Sequence, residues 1–534
     1  MSTQMLRSAR LISFLTLISR VLGLARDIAL ANTFGLGSVA SAFGTAFQVP
    51  NLFRRLFGEG ALSAASIPVL TEKLAREGEP AADQLAGRIL SLLVLLLAVL
   101  TIVGELVVAG LYLLYGEQRD NALVLTLTAL MLPYMIFICT AALLGGVQNV
   151  FGRFASAAAA PIILNLFMIA ALVAAPRLYP AGASGETSSD GRLWSMSRQA
   201  ALVALAVVVS GVFQMAWQWA AARRIGLRLP LSLSTRDAAV RRIGITMLPM
   251  VAGLAAVQIN TLLDTLIAWW FVPREVVRSA VGPERVGPDI LAYAQRLYQF
   301  PLGVFATALA TAIFPALSRH AAENDLPGLG RTLSRGLRIA SFEGIPSLVG
   351  LILIREPLVR LLFGHGEFGR WPEAVDRVST ALFMYALGIW AFGVNQIVVR
   401  AFYSIGDART PLWISVRNVG LNLVLNLVLV QTALREAGLA LATSICAVLQ
   451  VVLLLRRFSA QTGHFDWASI RVSVARTLAA TAIMAVSVLL TDRMLGDAPA
   501  VLQVGVLVGV GAAAFATAAW ALRSEELREM LRRG

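Results

Sequence analysis

The sequence predicts an all-α, polytopic membrane protein with about 14 transmembrane helices. Of its 534 residues, 57% are hydrophobic and only 14% are charged, whereas soluble domains are about 45–50% apolar and about 25% charged. The mean hydropathy is +0.74. A chain of this length has too little polar material to cover several soluble domains. Its two cysteines, Cys139 and Cys446, both lie in apolar stretches, which argues against a disulfide scaffold or a cysteine-rich metal site.

Fourteen apolar segments are separated by charged or Pro/Gly-rich breaks, and each is long enough to predict one helix that spans the membrane. The first segment lacks the compact apolar core and the small-residue cleavage site of a signal peptide, so we expect it to be retained. The segments are 9–32, 38–71, 88–115, 121–150, 156–176, 196–222, 243–272, 289–318, 338–355, 377–405, 411–431, 437–456, 471–491 and 499–522.

The distribution of basic residues predicts the orientation. If the N-terminus is inside, the inside loops hold 25 Lys and Arg residues and the outside loops hold 12. Cytoplasmic loops of membrane proteins have an excess of Lys and Arg, so both termini are predicted to be cytoplasmic, as an even number of spans requires. Much of the net charge of +14 is therefore explained by topology rather than by nucleic-acid binding.

Two proline-containing segments predict an internal repeat. The stretches "FQVPNLFRRLFGEGALSAASIPVL" and "YQFPLGVFATALATAIFPALSR" both read aromatic-Gln-x-Pro and later apolar-Pro-x-Leu. Gln48 matches Gln299, and Pro50 matches Pro301. The match predicts two six-helix lobes around a central cavity, followed by two extra C-terminal helices. Transporters built from repeats bind their substrates between the halves, often on broken helices.

The repeat also predicts how the chain is divided. We expect an N-terminal lobe of six spans over 1–236, a C-terminal lobe of six spans over 237–460, and two additional spans with a cytoplasmic tail over 461–534. Pro and Gly residues inside the spans are expected to break helices. These residues are Gly23, Pro50, Pro133, Pro161, Pro249, Pro301 and Pro346.

Once the basic residues assigned to loops and the span-edge Arg198 are set aside, seven arginines remain, all inside the apolar segments. An arginine at the centre of a membrane helix costs about 2.5–3.5 kcal/mol even on the most lenient scale. Each of the seven is therefore expected to face a wet cavity, a partner side chain or a ligand. They are Arg20, Arg26, Arg54, Arg55, Arg296, Arg400 and Arg417.

The first two spans hold charged side chains of both signs. Arg20 and Asp27 are seven residues apart and share a helix face, whereas Arg26 points elsewhere in a regular helix. Arg55 and Glu59 have the i,i+4 spacing of a pair along one helix, which leaves the neighbouring Arg54 free. These groups either lock adjacent helices together or line a central cavity.

Span eight adds Arg296 and, three residues later, Gln299. If spans one, two and eight meet, Arg296 converges with the arginines of the first two spans near the middle of the membrane. Guanidinium groups bind phosphate through planar, bidentate hydrogen bonds. A cluster of arginines with few acids therefore predicts an anionic, phosphorylated substrate.

Four motifs resemble those of the MurJ (MviN) family, part of the multidrug/oligosaccharidyl-lipid/polysaccharide exporter superfamily. They are "SRVLGLARD", "VPNLFRRLFGEGALSAASIPVL", "YAQRLYQFPLGVFATALATAIFPALSRHA" and "AFYSIGDARTP". The resemblance implies a flippase that moves lipid II, the undecaprenyl-diphosphate-linked peptidoglycan precursor, from the cytoplasmic to the periplasmic leaflet of the bacterial inner membrane by alternating access. The substrate-binding residues expected on this basis are Arg20, Arg26, Asp27, Arg54, Arg55, Glu59 and Arg296, to which we add Gln299.

The chain departs from the family at four neutral positions. Many members have an acid at the position of Ser41, and some have a basic residue at Gln48 and acids at Gln295 and Gln299. The neutral side chains leave the predicted cavity less neutralised by its own acids. We therefore expect either a stronger attraction for a diphosphate or different gating partners.

A second polar group predicts a cation site. Asp264 lies in span seven, Asn422 and Asn426 in span eleven, and Thr443 in span twelve. Their oxygens can surround a hard cation such as Na⁺, although the same residues can equally form helix–helix hydrogen bonds. We expect no organic cofactor and no other metal, and either Na⁺ or the membrane potential as the driving force.

Other functions stay open at this point. A flippase for another polyprenyl-diphosphate oligosaccharide, such as an O-antigen unit, would need the same arginines, whereas an exporter of cationic drugs predicts intramembrane acids. An enzyme would need a general base or an acidic metal motif near the arginines, which the sequence lacks. A scaffold that transports nothing would tolerate loss of Arg20 or Arg296. The expected partners are lipid II, membrane lipids and the cell-wall synthesis machinery, with no nucleic acid.

Overall fold

The computed structural model describes residues 3–58, 61–180, 189–235, 237–278, 282–463, 465–496 and 498–533. Within these ranges the chain is almost entirely helical. The helices of the first half are α1 (Thr3–Phe34), α2 (Ser38–Phe53), α3 (Ala61–Glu77), α4 (Glu79–Tyr115), α5 (Arg119–Met131), α6 (Tyr134–Val150), α7 (Ala155–Leu178), α8 (Ser189–Arg224) and α9 (Ala238–Phe271).

The second half continues this helical pattern after a short antiparallel hairpin of β1 (Glu275–Arg278) and β2 (Gly282–Glu284). Its helices are α10 (Gly287–Pro301), α11 (Thr307–Ala322), α12 (Leu326–Phe363), α13 (Ala374–Ala386), α14 (Ile389–Ser404), α15 (Arg409–Leu429), α16 (Glu436–Thr462), α17 (Trp467–Leu495), α18 (Ala500–Ala521) and α19 (Glu525–Arg533).

Helices cover all fourteen of the apolar segments, which confirms the polytopic helical architecture. Ten helical stretches in the described residues are long and apolar enough to cross a membrane by length and composition. The other four segments are α1, α2 with α3, α9, and α10 with α11. In α1 the apolar stretch is interrupted by Arg20, Arg26 and Asp27. The count of fourteen spans stays a prediction.

The chain forms two compact units. The first contains Met1–Leu262, Arg274–Val286 and Gly366–Arg370, and the second contains Leu263–Pro273, Gly287–His365 and Trp371–Gly534. The division falls inside α9, and α17 and α18 belong to the second unit. The domain limits at residues 236 and 460 stay a prediction.

Helix packing follows the same pattern within each unit. In the first, α2 packs on α5, α3 on α4 and α6, α6 on α8, and α7 on α8. In the second, α10 packs on α13, α11 on α12 and α14, α14 on α16, and α15 on α16. Each helix of the first set has one counterpart at the same place in the order of the second. The two lobes and the extra pair predicted from the repeat are therefore present, with α17 and α18 packed on α12.

Each unit contains one helix that is interrupted after the repeated proline. Pro50 lies near the end of α2, and residues 54–58 form a π-helical turn. Pro301 ends α10, and residues 302–306 form the equivalent π-helical turn. Proline cannot donate the hydrogen bond of a regular helix, and single π-helical turns occur often at functional sites. The two segments that carry the repeat are therefore also the irregular ones.

Most of the other predicted helix breaks are wrong. Pro133 does separate α5 from α6. By contrast, α7 continues through Pro161, α12 continues through Pro346, and α1 is continuous at Gly23. A Cβ atom at Gly23 would meet Asn165 at 3.8 Å, an ordinary contact, so glycine is not required there.

The β1–β2 hairpin completes the first unit by contacting the start of α2. The Glu284 carboxylate accepts a hydrogen bond from the backbone N–H of Ser38 at 3.1 Å. The Ser41 hydroxyl donates to the Arg285 carbonyl at 3.0 Å. Ser41 is fully buried. The neutral residue at this position therefore holds the hairpin against α2.

Residues 366–370 also pack into the first unit, against the end of α1. The backbone N–H of Glu367 donates to the Asn32 carbonyl at 3.0 Å, and its carboxylate pairs with Arg192 at 2.9 Å. Gly35 has a φ of +65°, and a Cβ atom there would lie 2.7 Å from the Glu367 backbone. This close approach explains why glycine ends α1.

Polar caps define the start of two long helices in the second unit. Asp325 precedes α12 and accepts from the Gly328 N–H at 2.8 Å, and this hydrogen bond lowers the pKa of Asp325. Asp466 precedes α17 and accepts from the Ser469 N–H at 3.0 Å. Such caps satisfy backbone donors that have no partner inside the helix.

A buried ion pair joins α13 to α16. The Arg377 guanidinium donates to both oxygens of Glu436, at 2.7 and 2.8 Å, and the two side chains are 13% and 4% exposed. The ring of Trp371 lies against the same guanidinium, 5.4 Å away. Because the pair is bidentate and largely buried, it constrains how these helices pack.

We expect Arg377→Gln to lower the midpoint of thermal unfolding in detergent micelles, because it leaves Glu436 buried without its cation. Removing one partner of a buried pair costs about 3–5 kcal/mol. Arg360→Gln is the matched control, since the Arg360–Glu356 pair is exposed and such pairs contribute only about 0–1 kcal/mol. Equal midpoints for the two variants would contradict this role of the buried pair.

Candidate functional site

The charged pair of α1 is buried against α7. Arg26 Nη2 and Nε donate to Asp27 Oδ1 at 2.8 and 3.1 Å. Arg26 Nη1 donates to the Asn165 amide oxygen at 3.1 Å, and the Asn165 amide nitrogen donates to the Ser19 carbonyl, also at 3.1 Å. Arg26 and Asp27 are only 9% and 8% exposed. Asn165 therefore fixes the guanidinium of Arg26 and joins α1 to α7.

This arrangement corrects the expectation for span one. Arg26 does not point away from Asp27: its long side chain folds back and binds the neighbouring carboxylate directly. Arg20, which was expected to share a face with Asp27, is exposed on α1. The structure contains a lock in which Arg26 binds Asp27 and, through Asn165, joins α1 to α7.

The second pair of arginines lies on the π-helical turn 54–58. Arg54 Nε donates to the Asn51 amide oxygen at 2.7 Å, so the expectation that Arg54 is free is wrong. Arg55 Nη1 donates to the Gln258 amide oxygen of α9 at 3.0 Å. Glu59, the expected partner of Arg55, lies outside the described residues. Both arginines are half-buried, so part of each guanidinium is accessible.

A buried tyrosine relates these two groups within the first unit. Tyr134 begins α6 and is fully buried. Both Arg26 and Arg54 lie close enough to its hydroxyl to act on it electrostatically. Arg26 and the first arginine of the π-helical turn therefore both lie near the same buried residue. A guanidinium in such surroundings attracts an anion strongly, because the surroundings screen its charge weakly.

The remaining members of the expected substrate site lie in the second unit, on α10. Arg296 and Gln299 are exposed there, one helical turn apart. Gln295 is half-buried, and its amide nitrogen donates to the Tyr385 hydroxyl of α13 at 2.9 Å. A neutral residue at 295 thus hydrogen-bonds a buried tyrosine. The convergence of Arg296 with Arg20, Arg26 and Arg54 stays a prediction.

The expected cation-site residues meet inside the second unit. The Asn426 amide nitrogen donates to Asp264 Oδ1 at 2.6 Å and to Asn422 Oδ1 at 2.9 Å. Thr443 is another side-chain hydrogen-bond partner of Asp264, and its hydroxyl also reaches the Leu439 carbonyl. Asp264, Asn422 and Asn426 are 3%, 2% and 0% exposed. Helices α9, α15 and α16 are joined by these contacts.

One atom of this group is compatible with a cation as well as with a hydrogen-bonded lock. Among the described residues, the buried Asn426 Oδ1 has no hydrogen-bond partner. A half-turn of the amide exchanges its oxygen and nitrogen with little change of shape. The oxygens of Asp264, Asn422 and Asn426 would then face one another, an arrangement that a cation or a proton on Asp264 would stabilise. The donor set therefore fits a hard, singly charged ion, with one carboxylate and neutral oxygens.

Several residues of these sites have no recognisable signal in the sequence. Asn165, Gln258 and Tyr134 lie in apolar helices far along the chain from the arginines that they contact or approach. A polar residue inside an apolar segment is the only available hint, and many such residues merely bind the backbone. No cluster of three or more His, Cys, Asp or Glu residues suited to a metal occurs in the part of the chain that the structure describes.

The chain is similar to proteins of one family over most of its length. A family model described as "Lipid II flippase MurJ" matches residues 30–502. A "Probable lipid II flippase MurJ" from Vibrio cholerae serotype O1 is 31% identical over 96% of this chain and 95% of that relative. The "Lipid II flippase MurJ" of Burkholderia cenocepacia is 31% identical over 84% of this chain and 82% of the relative.

Solved structures resemble the fold. "Lipid II flippase MurJ, inward closed conformation" has a TM-score of 0.75 and is 22% identical, over 98% of this chain and 99% of that one. An inward-facing multidrug resistance MATE family transporter of the MOP superfamily has a TM-score of 0.64 and is 16% identical, over 85% and 98% of the two chains. At these identities the likeness concerns the fold.

We expect Asn165→Leu to lower the free energy of unfolding by about 1–3 kcal/mol, since the buried Arg26 guanidinium loses an acceptor. Asn165→Asp is the matched variant, because it keeps the acceptor and should lose less. The measurement is the midpoint of thermal unfolding in detergent. A leucine variant as stable as the wild type would show that this contact does not join α1 to α7.

Proposed function

We propose that this chain, which belongs to the lipid II flippase MurJ family, moves lipid II from the cytoplasmic to the periplasmic leaflet. It is a multi-pass inner-membrane protein and a transporter. The observation that carries the proposal is that Arg26 and Arg54, from two different helical segments of the first unit, both lie near the buried Tyr134. Arginines retained inside apolar helices need a ligand, a partner or water, and a diphosphate matches their geometry.

The structure supports different roles for the arginines in this proposal. Arg26 is held by Asp27 and Asn165, so its guanidinium is fixed in place and the neighbouring carboxylate already compensates much of its charge. Arg54 and Arg55 lie on an irregular turn next to Pro50, where a small backbone change can redirect them. Exposed Arg20 and Arg296 are long enough to adapt to the substrate.

Orientation and mechanism are part of the same proposal. The excess of basic residues in alternate loops supports cytoplasmic termini. The repeated fold supports alternating access, in which the two lobes open first to one side and then to the other. We further propose that the protein performs no covalent chemistry, because positively charged side chains alone suffice to bind and release a diphosphate.

A flippase for another polyprenyl-diphosphate oligosaccharide is the second candidate. Its substrate has the same diphosphate, so the arginines do not distinguish the two. The similarity to lipid II flippases of Vibrio cholerae and Burkholderia cenocepacia favours lipid II. The choice between the two candidates depends on which sugar the protein accepts. The expected source of lipid II is the cell-wall synthesis machinery.

We also propose that Asp264, Asn422, Asn426 and Thr443 hold Na⁺ as a coupling ion. Bound Na⁺ would supply the positive charge that a buried carboxylate otherwise lacks. The oxygen donors belong to α9, α15 and α16, so occupancy of the site would affect how these three helices pack. The membrane potential is the alternative driving force.

In cells depleted of their lipid II flippase, we expect the wild-type chain to restore growth and Arg20→Ala, Arg54→Ala and Arg296→Ala to fail. Each substitution removes a donor to the diphosphate, and a charge-assisted hydrogen bond contributes about 1.5–3 kcal/mol. Growth and the amount of protein in the membrane are measured together. Arg360→Ala, on the exposed Arg360–Glu356 pair, is the control and should restore growth. Rescue by the three variants at normal expression would contradict the proposed site.

We expect Na⁺ to stabilise the purified protein and Asp264→Asn to abolish that effect. Binding to the folded state contributes about 1–3 kcal/mol when Na⁺ exceeds its dissociation constant ten- to a hundredfold. The midpoint of thermal unfolding is compared in NaCl and in choline chloride at equal ionic strength. Asp492→Asn, which removes an acid of α17, should keep the shift. A Na⁺ shift that persists in Asp264→Asn would contradict this site, because the ion would then bind elsewhere or act without a specific site.

A further inference from the structure

Arg417 is an intramembrane arginine that belongs to neither the proposed substrate site nor the proposed cation site. It lies on α15, eight residues after the first residue of that helix, which is about 12 Å along the axis. Its side chain is exposed. The face of α15 around it is apolar, with Trp413, Val416 and Val424 exposed, as expected of a surface in contact with lipid.

A groove between α15 and α16 contains Arg417 and two further arginines. The groove has a volume of about 400 Å³, within the roughly 300–1,000 Å³ of typical ligand sites. Arg456 and Arg457, near the end of α16, lie with Arg417 along its wall. The other lining residues are Ile414, Asn418, Leu421, Leu449 and Leu453.

The polar and apolar parts of the groove lie at different depths. The two helices are antiparallel, since Gln450 donates to the Ser415 hydroxyl at 3.1 Å and the Cys446 thiol, one turn earlier in α16, donates to the Asn418 carbonyl at 3.9 Å. Arg456 therefore lies towards the first residues of α15, about 9 Å from the end of α16. Leu421 and Leu449 lie deeper. The groove thus changes from basic near the membrane surface to apolar towards the middle.

The three arginines are not neutralised by the protein. In the part of the chain that the structure describes, no carboxylate lies within ion-pair distance of Arg417, Arg456 or Arg457. Arg400, the other intramembrane arginine outside the substrate site, differs because it donates to Thr311 at 2.9 Å. Three adjacent cations in a groove without an acid attract anions from outside the chain.

We propose that this groove binds an anionic phospholipid of the surrounding bilayer. The phosphate and the anionic headgroup would contact Arg417, Arg456 and Arg457, and an acyl chain would lie along Leu421, Leu449 and Leu453. Basic pockets between transmembrane helices are suited to anionic lipid headgroups. Both the charge and the depth profile of the groove match a phospholipid, whereas a soluble phosphate would leave the apolar half exposed.

The groove is formed by α15 and α16 alone, the helices that also provide Asn422, Asn426 and Thr443 to the proposed cation site. A lipid bound there would hold these two helices together at their other end. This inference concerns a bilayer lipid and holds whether or not the protein transports lipid II.

The test measures phospholipid binding to the full-length protein by native mass spectrometry from detergent. We expect the wild type to bind phosphatidylglycerol on the order of 10- to 100-fold more tightly than phosphatidylcholine, since each basic residue near an anionic lipid contributes appreciably. The triple variant Arg417→Gln/Arg456→Gln/Arg457→Gln should bind phosphatidylglycerol and phosphatidylcholine about equally tightly. The triple variant Arg223→Gln/Arg224→Gln/Arg241→Gln removes equal charge elsewhere and should keep it.

A second variant tests the apolar half and guards against misfolding of the first. Leu453→Trp fills the groove but leaves all three arginines, and it should weaken phosphatidylglycerol binding at least several-fold. Glycerol phosphate should not compete at equal concentration. The proposal is overturned if the arginine variant keeps its preference, if the control loses it equally, or if glycerol phosphate displaces the lipid. Displacement by stoichiometric undecaprenyl diphosphate would also overturn it, because the groove would then be a substrate site.

Discussion

The cost of placing a charge in an apolar phase governs the polar contacts of both units. Arg26 is bound by Asp27 and Asn165, Arg377 by Glu436, and the Asp264 carboxylate by two side-chain donors. For the two arginines a carboxylate offsets much of the penalty that an isolated buried charge would have, whereas the Asp264 carboxylate has only neutral donors. Helices that carry such groups can pack in few ways, because each alternative leaves a charge without its partner.

The same constraint separates structural charges from those available to a ligand. Arg377 is held by a bidentate carboxylate and serves packing. Arg54 and Arg55 donate to the neutral side chains of Asn51 and Gln258 and lie on a π-helical turn. The repeat places an equivalent irregular turn in the second unit, next to α10 and its Arg296.

Sequence reasoning succeeded where the signal is local. Apolar length, the repeated prolines and the four sequence motifs each depend on neighbouring residues, and the helices, the two lobes and the family followed from them. It failed for Arg26 and Arg54, whose directions were inferred from an ideal helix. The Arg26 side chain is long enough to fold back onto Asp27, and Arg54 reaches Asn51 from a turn that is not α-helical. Glu59 could not be compared because it lies outside the described residues.

The sequence by itself determined the class of protein, the repeat and the residue types that a diphosphate or a cation needs, since these are properties of composition and spacing. Only the tertiary structure decided which charges are neutralised. Asn165 and Gln258 reach Arg26 and Arg55 from distant parts of the chain, and Arg417 joins Arg456 and Arg457 only because α15 and α16 pack side by side. Compensation of a buried charge depends on contacts of a few ångströms, and helix packing creates these contacts between residues that no local pattern connects.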